Sequence, residues 1–344
     1  CAVRVGQETS LHFLKVMRCP CADVRVGQKD EIENAIAFSM LIFLVIQNHT
    51  HGGKNMLVLF TDTDTDITPE IAKEFGYKII SMPYSIDGNT TSPYVDWDTF
   101  DSHSFYDMLR EGIIPTTSAI GEEEYIRHFE PVFADGDDIM YVHFSRSMTA
   151  SFDAMDKAVE KLKTKYPDRQ FYEIDTKGIS ALSLLVVEEV GDMYKEGKTA
   201  AEILEWAKAE SDHFAMYFFA DDLKFFARSG RVSGLAGTMG TLLGIRPIIF
   251  IDSTGKMVSV GKEKGRRKAL DRLVSYVDEL GDDIKNHRII IGHTDAPELV
   301  EEIREALTEK FGDDLRIEIT VTNPTIGSHC GPDGAGIAFH AIHK

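Results

Sequence analysis

The chain has 344 residues, a formal net charge of -19 at pH 7 and an apolar fraction of 43%. That length predicts two domains, and the apolar fraction is enough for sizeable cores. The acidic balance argues against a duplex nucleic-acid binder, which needs clustered Lys and Arg, and against a broad electrostatic hold on anionic membrane, leaving one local basic patch at Lys262, Lys264, Arg266, Arg267 and Lys268.

Residues 1–55 differ from the remainder. They hold Cys1, Cys19 and Cys21, three of the four cysteines, and show no strand–helix alternation. The run Ala35–Ile46 falls short of the ~18 apolar residues of a membrane helix. Lys29-Asp30-Glu31 stands before it, where a signal peptide carries basic residues. Gly52-Gly53-Lys54-Asn55 can be encoded by a ribosome-binding site followed by the Met56 codon. Translation is therefore expected to start at Met56, leaving 1–55 as a spurious or disordered extension. The alternative is a genuine helix built on Ile32–Ile46. Cys19-Pro20-Cys21 alone does not make a zinc site. Beyond Met56 the single Cys330 fits a reducing cytoplasm without disulfides.

From Met56 short apolar runs alternate with helical patterns. Strands are expected at Leu57–Thr61, Tyr77–Met82, Ile139–Phe144 and Phe171–Ile174. Helices are expected at Pro69–Phe75, Ser102–Glu111, Gly121–Phe133, Thr149–Lys165, Ser180–Glu196 and Thr199–Ser211. After a boundary near residue 215 come strand Ala215–Ala220, a helical Asp221–Leu243, strands Pro247–Ile251 and Met257–Val260 paired across a turn, helix Arg266–Leu280, strand Arg288–Gly292, helix Ala296–Phe311 and strand Leu315–Val321. The fold class is α/β: a parallel sheet domain at 56–215 and an α+β domain at 216–344.

Polar segments punctuate this pattern. Thr61-Asp62-Thr63-Asp64-Thr65-Asp66 follows the first strand, where open α/β sheets bind ligands. Asp64, Asp66 and Thr68 match the Asp-x-Asp-x-Thr of a Mg²⁺-dependent haloacid-dehalogenase-type phosphatase. The acidic pair that fold needs beyond a later strand is instead Asp137-Asp138, ahead of one. Ile67 stands where an EF-hand loop needs glycine. Hydroxyl clusters at Thr116-Thr117-Ser118 and at Ser145 to Ser151 precede helical patterns, places that suit anions as well as helix caps. Arg228 to Gly234 reads as a turn between two helices. Pro324 to Gly336 reads as a glycine-rich loop between strands that carries His329. Glycines let backbone approach a ligand, and imidazole can donate to an anion. No Gly-x-Ser-x-Gly elbow, Walker loop or dinucleotide fingerprint occurs.

Together, TDTDTD, PTTSAI, FSRSMTASF, YEIDTKGIS, LKFFARSGRVSG, GTLLGIRPIIFID, GRRKAL and IGSHCGPDGAGIAF resemble, in order and spacing, the DegV family of bacterial fatty-acid-binding proteins. The resemblance runs over nearly all of Met56 to His343. It implies two domains with a lipid tunnel between them, no cofactor and no catalysis by the chain itself. A long-chain fatty acid is the implied ligand and a separate fatty-acid kinase the implied partner. A monomer in the cytoplasm is expected, with transient membrane contact left open.

Residue by residue, Thr117 and Ser118 match the hydroxyl pair that meets the carboxylate, Thr149 the hydroxyl of the family's Ser-Gly-Thr turn, and His329 the histidine beside it. Arg231 matches an arginine at the mouth of the site. Lys264 and Arg266 belong to a basic segment there, or at a partner contact. Lys264 replaces an arginine, keeping the charge but losing the bidentate fork. Thr63 and Asp64 depart from Thr-Asp-Ser-Thr. Since two facing carboxylates repel, Asp64 is expected to point to solvent or to pair with a base. Leu223, Phe225, Phe226, Leu235, Met239, Leu242 and Leu243 are candidates to line the tunnel, each buried methylene of a lipid contributing ~0.8 kcal/mol.

Overall fold

The computed structural model describes residues 55–93, 101–221, 223–233 and 244–344. The extension 1–54 and the tunnel candidates Leu235, Met239, Leu242 and Leu243 lie outside the described residues. In chain order the elements are β1 (Leu57–Asp62), α1 (Pro69–Phe75), β2 (Lys78–Ile80), β3 (Tyr84–Ile86), β4 (Asn89–Thr91), α2 (Ser102–Arg110), β5 (Thr116–Thr117), α3 (Glu122–Ala134), β6 (Asp138–His143), α4 (Ser151–Lys165), β7 (Phe171–Asp175), α5 (Ala181–Lys195) and α6 (Ala200–Glu210). They continue as β8 (Phe214–Phe219), α7 (Lys224–Ser229), β9 (Val232–Ser233), β10 (Ile245–Ile251), β11 (Met257–Lys264), α8 (Arg266–Leu280), β12 (Arg288–His293), α9 (Pro297–Phe311), β13 (Arg316–Val321), α10 (Pro324–Cys330) and β14 (Ala335–His340).

The first sheet has order β2-β1-β6-β7 and is parallel throughout. Side chains alternate across a strand, so a sheet buried on both faces needs apolar residues at consecutive positions. Leu59, Met140 and Val142 enter one core cluster, while Phe60, Ile139 and Tyr141 enter another with α3 and α4. The second sheet has seven strands, β13-β12-β14-β8-β10-β11-β9. Its Tyr217, Ile289, Ile291, Ile337 and Phe339 pack with α8 and α9, while Met216, Ile290 and Ala338 turn to the opposite face. That face and the first sheet share one core with α5, in which Ala181 to Glu188 are all buried. A helix apolar on every side is one enclosed on every side.

The hairpin of β10 and β11 forms as expected, with Ile251 opposite Met257. Three elements differ from the sequence expectations. A third sheet, β4-β3-β5, is built from strands of two or three residues. Of the helical Asp221–Leu243, the described part contains only α7, which Gly230 ends in the left-handed conformation, followed by β9. The glycine-rich segment after Asn323 is a helix, α10, rather than a loop. The Asn323 side chain caps it by accepting from the backbone N–H groups of Thr325 and Ile326, and Pro324 takes its first position. Among the described residues no helix is long and apolar enough to cross a membrane.

Candidate functional site

A cavity of about 230 Å³ opens between the two larger sheets. Its apolar lining includes Met82, Phe144, Ile179, Met216, Phe218 and Phe226, and its polar lining includes Asp64, Thr117, Ser118, Thr149, Ser180, Arg231 and His329. Five residues expected from separate segments are thus brought together: Thr117, Ser118, Thr149, Arg231 and His329. Of the tunnel candidates, Phe226 lines the cavity, whereas Leu223 packs against the shared core and Phe225 is buried with Tyr84, Phe105 and Tyr106.

Each polar group is held by a local device. Thr117 ends β5, which pairs with β3, and its hydroxyl lies 2.8 Å from His329 Nε2. His329 sits in the last turn of α10. Burial, reinforced by Arg231 and Arg228, lowers its pKa to about 4. The ring is therefore neutral near pH 7 and carries one N–H. Thr149 follows a 3-10 turn after β6; its hydroxyl accepts from the Ser151 backbone N–H and lies 3.0 Å from Ser151 Oγ. Ser151 in turn accepts from the Ile120 backbone N–H, tying the Thr149 turn to the Ser118 segment. Ser118 and Arg231 are exposed at the solvent end. Hydroxyls, one imidazole N–H and a guanidinium at the end of an apolar cavity can hold an anionic head group whose tail is buried.

Lys264 and Arg266 are not brought to this cavity. Met257, at the start of β11, lines it. Lys264 ends the same strand seven residues on, roughly 23 Å away at the rise of a strand. Arg266 lies 3.9 Å from Asp221.

The TDTDTD segment is buried. Asp62 accepts from Asp64 N at 3.0 Å and Tyr141 Oη at 3.1 Å, and burial pushes its pKa up to about 7 against the opposing pull of His143. Asp66 accepts from the Ser180 hydroxyl, Asn323 N (2.8 Å) and Asn323 Nδ2 (2.9 Å), with its pKa raised by burial to about 6.

Asp64 overturns its expectation. It neither reaches solvent nor pairs with a base: it is 6% exposed, lines the cavity, and has Asp62, Asp66 and Asn323 rather than a basic group as its electrostatic neighbours among the described residues. Burial first, then Asp62 and Asp66, push its pKa well above the ordinary carboxyl range. Its surroundings thus disfavour the charged form. The phosphatase alternative finds no support here. The Asp66 carboxylate is occupied by Ser180 and Asn323, and neither Asp64 nor Asp66 belongs to a group of three ligand side chains converging within 4.8 Å among the described residues. His103, Asp107 and Asp295 do converge in this way, and Arg110 bridges the two acids.

Sequence reasoning missed Ser151, Ser180, His293 and Thr322 among the lining residues. Ser151 lay within a hydroxyl cluster already singled out. Ser180 ended the quoted YEIDTKGIS segment without being singled out, and His293 and Thr322 gave no local signal, since only the packing of the two sheets brings them to the cavity.

The DegV family model, described as an uncharacterised protein family, matches residues 56–341. The chain belongs to the DegV family. A DegV domain-containing protein of Clostridium perfringens is 30% identical over 283 residues, covering 82% of this chain and 96% of that one. Among solved structures, a fatty-acid-binding DegV family protein from Thermus thermophilus superposes with a TM-score of 0.74 at 20% identity, over 83% of this chain and 100% of that one. A DegV family protein from Eubacterium eligens, loaded with heptadecanoic acid, gives 0.71 at 21% identity, over 83% and 99%.

Proposed function

We propose that the chain binds a long-chain fatty acid in the cavity between its sheets, with the carboxylate at the end formed by Thr117, Ser118, Thr149 and His329 and with Arg231 at the mouth. The observation that carries this proposal is the convergence of these five residues on one apolar cavity. The fatty-acid-binding relatives of the same fold support it. A carboxylate leaving water needs several donors or it takes up a proton. The two Thr hydroxyls, Ser118 and the His329 N–H supply them, and Arg231 supplies charge.

In this proposal the chain is a carrier and any chemistry belongs to a partner. The carboxylate, held at the solvent end, is presented to a separate fatty-acid kinase, with Lys264 and Arg266 on the surface that meets it. Native mass spectrometry of the purified protein, followed by organic extraction, tests the first part. A stoichiometric fatty acid, lost in the Ser118→Ala/His329→Ala double variant, is expected. An empty protein that also refuses added fatty acid refutes it. For the second part, ATP-dependent acyl-phosphate formation by a fatty-acid kinase should slow in Lys264→Ala/Arg266→Ala while lipid content stays unchanged. An unaltered rate removes these two residues from the partner contact.

A further inference from the structure

One group in the cavity is not used by the carboxylate site. Asp64 Oδ1 is buried and has no hydrogen-bond partner among the described residues. Asp64 lies at the other end of α10 from His329. The Asn323 side chain, at the N-terminal cap, donates to Thr63 O at 2.7 Å, while His329 sits six residues on, about 9 Å along a helix axis. Ser180 and Thr322 line the cavity beside it, and Ser180 N donates to the Asp64 carbonyl at 2.9 Å.

A fatty acid with its carboxylate at His329 therefore runs its chain past a carboxyl group. The reverse orientation would set the ligand's carboxylate beside the buried Asp64 carboxyl, away from the His329 N–H and the charge of Arg231, and is disfavoured by burial without those donors. A plain methylene chain leaves Asp64 Oδ1 unsatisfied, and an unsatisfied buried polar atom is costly. Resting on the fatty-acid reading above, we propose that Asp64 forms a second polar subsite that pairs with a hydroxyl group on the acyl chain, so that the preferred ligand is a long-chain fatty acid hydroxylated away from its carboxyl end. A hydroxyl both donates and accepts, so it can bond this carboxyl in either protonation state. Burial and the neighbouring Asp62 and Asp66 disfavour the charged form of Asp64, which favours a hydroxyl over an ammonium as its partner. The placement of Asp64 also distinguishes positions on the chain, since a hydroxyl next to the ligand's carboxyl group stays at the His329 end.

The test is equilibrium competition against a fluorescent fatty acid, using octadecanoic acid, its α-hydroxy derivative and its mid-chain hydroxy derivatives, with the wild-type protein, Asp64→Asn and Asp64→Val. At least one mid-chain hydroxy acid should bind the wild type about tenfold or more tightly than octadecanoic acid, the size of one hydrogen bond to a buried polar partner. The α-hydroxy acid should show no such gain. Asp64→Asn keeps a donor and an acceptor and should retain part of the preference. Asp64→Val should lose it while still binding octadecanoic acid, which shows that the variant is folded. Equal affinity of the wild type for plain and hydroxylated acids, or a preference that survives in Asp64→Val, overturns the subsite and leaves the fatty-acid site standing. Failure to bind any of these acids overturns both.

Discussion

Replacing Asp64 by Thr, the hydroxyl residue of the related motif, should stabilise the protein, which few substitutions at a buried position do. Two terms favour the change. Oδ1 is buried without a partner among the described residues, and relieving such a group is worth about 1–3 kcal/mol. The second term depends on pH. The folded-state pKa of Asp64 is raised above its ordinary value of 3.8. A carboxyl group so shifted contributes stability below its unfolded pKa and loses it as pH rises towards the folded one. The wild type is thus progressively penalised above about pH 4, and Asp64→Thr is free of that penalty. Urea denaturation at about pH 5 and about pH 8 should give the variant a higher midpoint at both, with the larger gain at the higher pH. A variant less stable than wild type at the higher pH, or a gain that shrinks as pH rises, would refute the reasoning. The present acid is then best seen as stability given up for ligand recognition.

The remaining predictions concern the frame and the carboxylate end. Arg288, 3% exposed, joins β12 to Glu188, Glu189 and Asp192 on α5 and to Glu318 on β13, so Arg288→Met should cost about 3–5 kcal/mol in chemical denaturation. Glu188 already has its pKa raised to about 8, chiefly by burial, and the deficit should deepen as pH rises through that region; a pH-independent loss would contradict this. Gly331 has φ +76° and ψ 179°, a region open essentially to glycine alone, and an added Cβ would strike the Phe225 ring, so Gly331→Ala should cost at least roughly 1–3 kcal/mol, read from the thermal midpoint. Thr117→Val and His329→Ala should each weaken fatty-acid binding about tenfold or more by titration calorimetry, and unchanged affinity in both would remove them from the site.

How much of this was legible depends on what each element needs. α1 and α8 run over the expected residues because their signals are local: Thr68 caps α1 with Pro69 behind it, and the apolar period of Arg266–Leu280 is regular. α10 was hidden by its glycines, although Asn323-Pro324 is itself a helix-start signal. Gly327 is there because an added Cβ would lie 2.7 Å from Tyr106 Oη, a constraint that only the packed structure reveals. Strands of two or three residues, such as β3 and β5, are too short to show a period. The hydroxyls and His329 could be gathered by resemblance, but the fate of Asp64 could not. Its burial is decided by Ser180 and Asn323, which arrive from far along the chain.

That distance has a consequence for synthesis. The loop after β1 is closed by Asn323, which bonds Asp66 across 257 residues and Thr63 across 260. Contacts of such sequence separation form late, because the intervening chain must first be ordered. A nascent chain that has not yet reached Asn323 has most of its strands but no wall opposite Asp64 and no His329. The cavity proposed above to hold a lipid is therefore incomplete until both segments have been made.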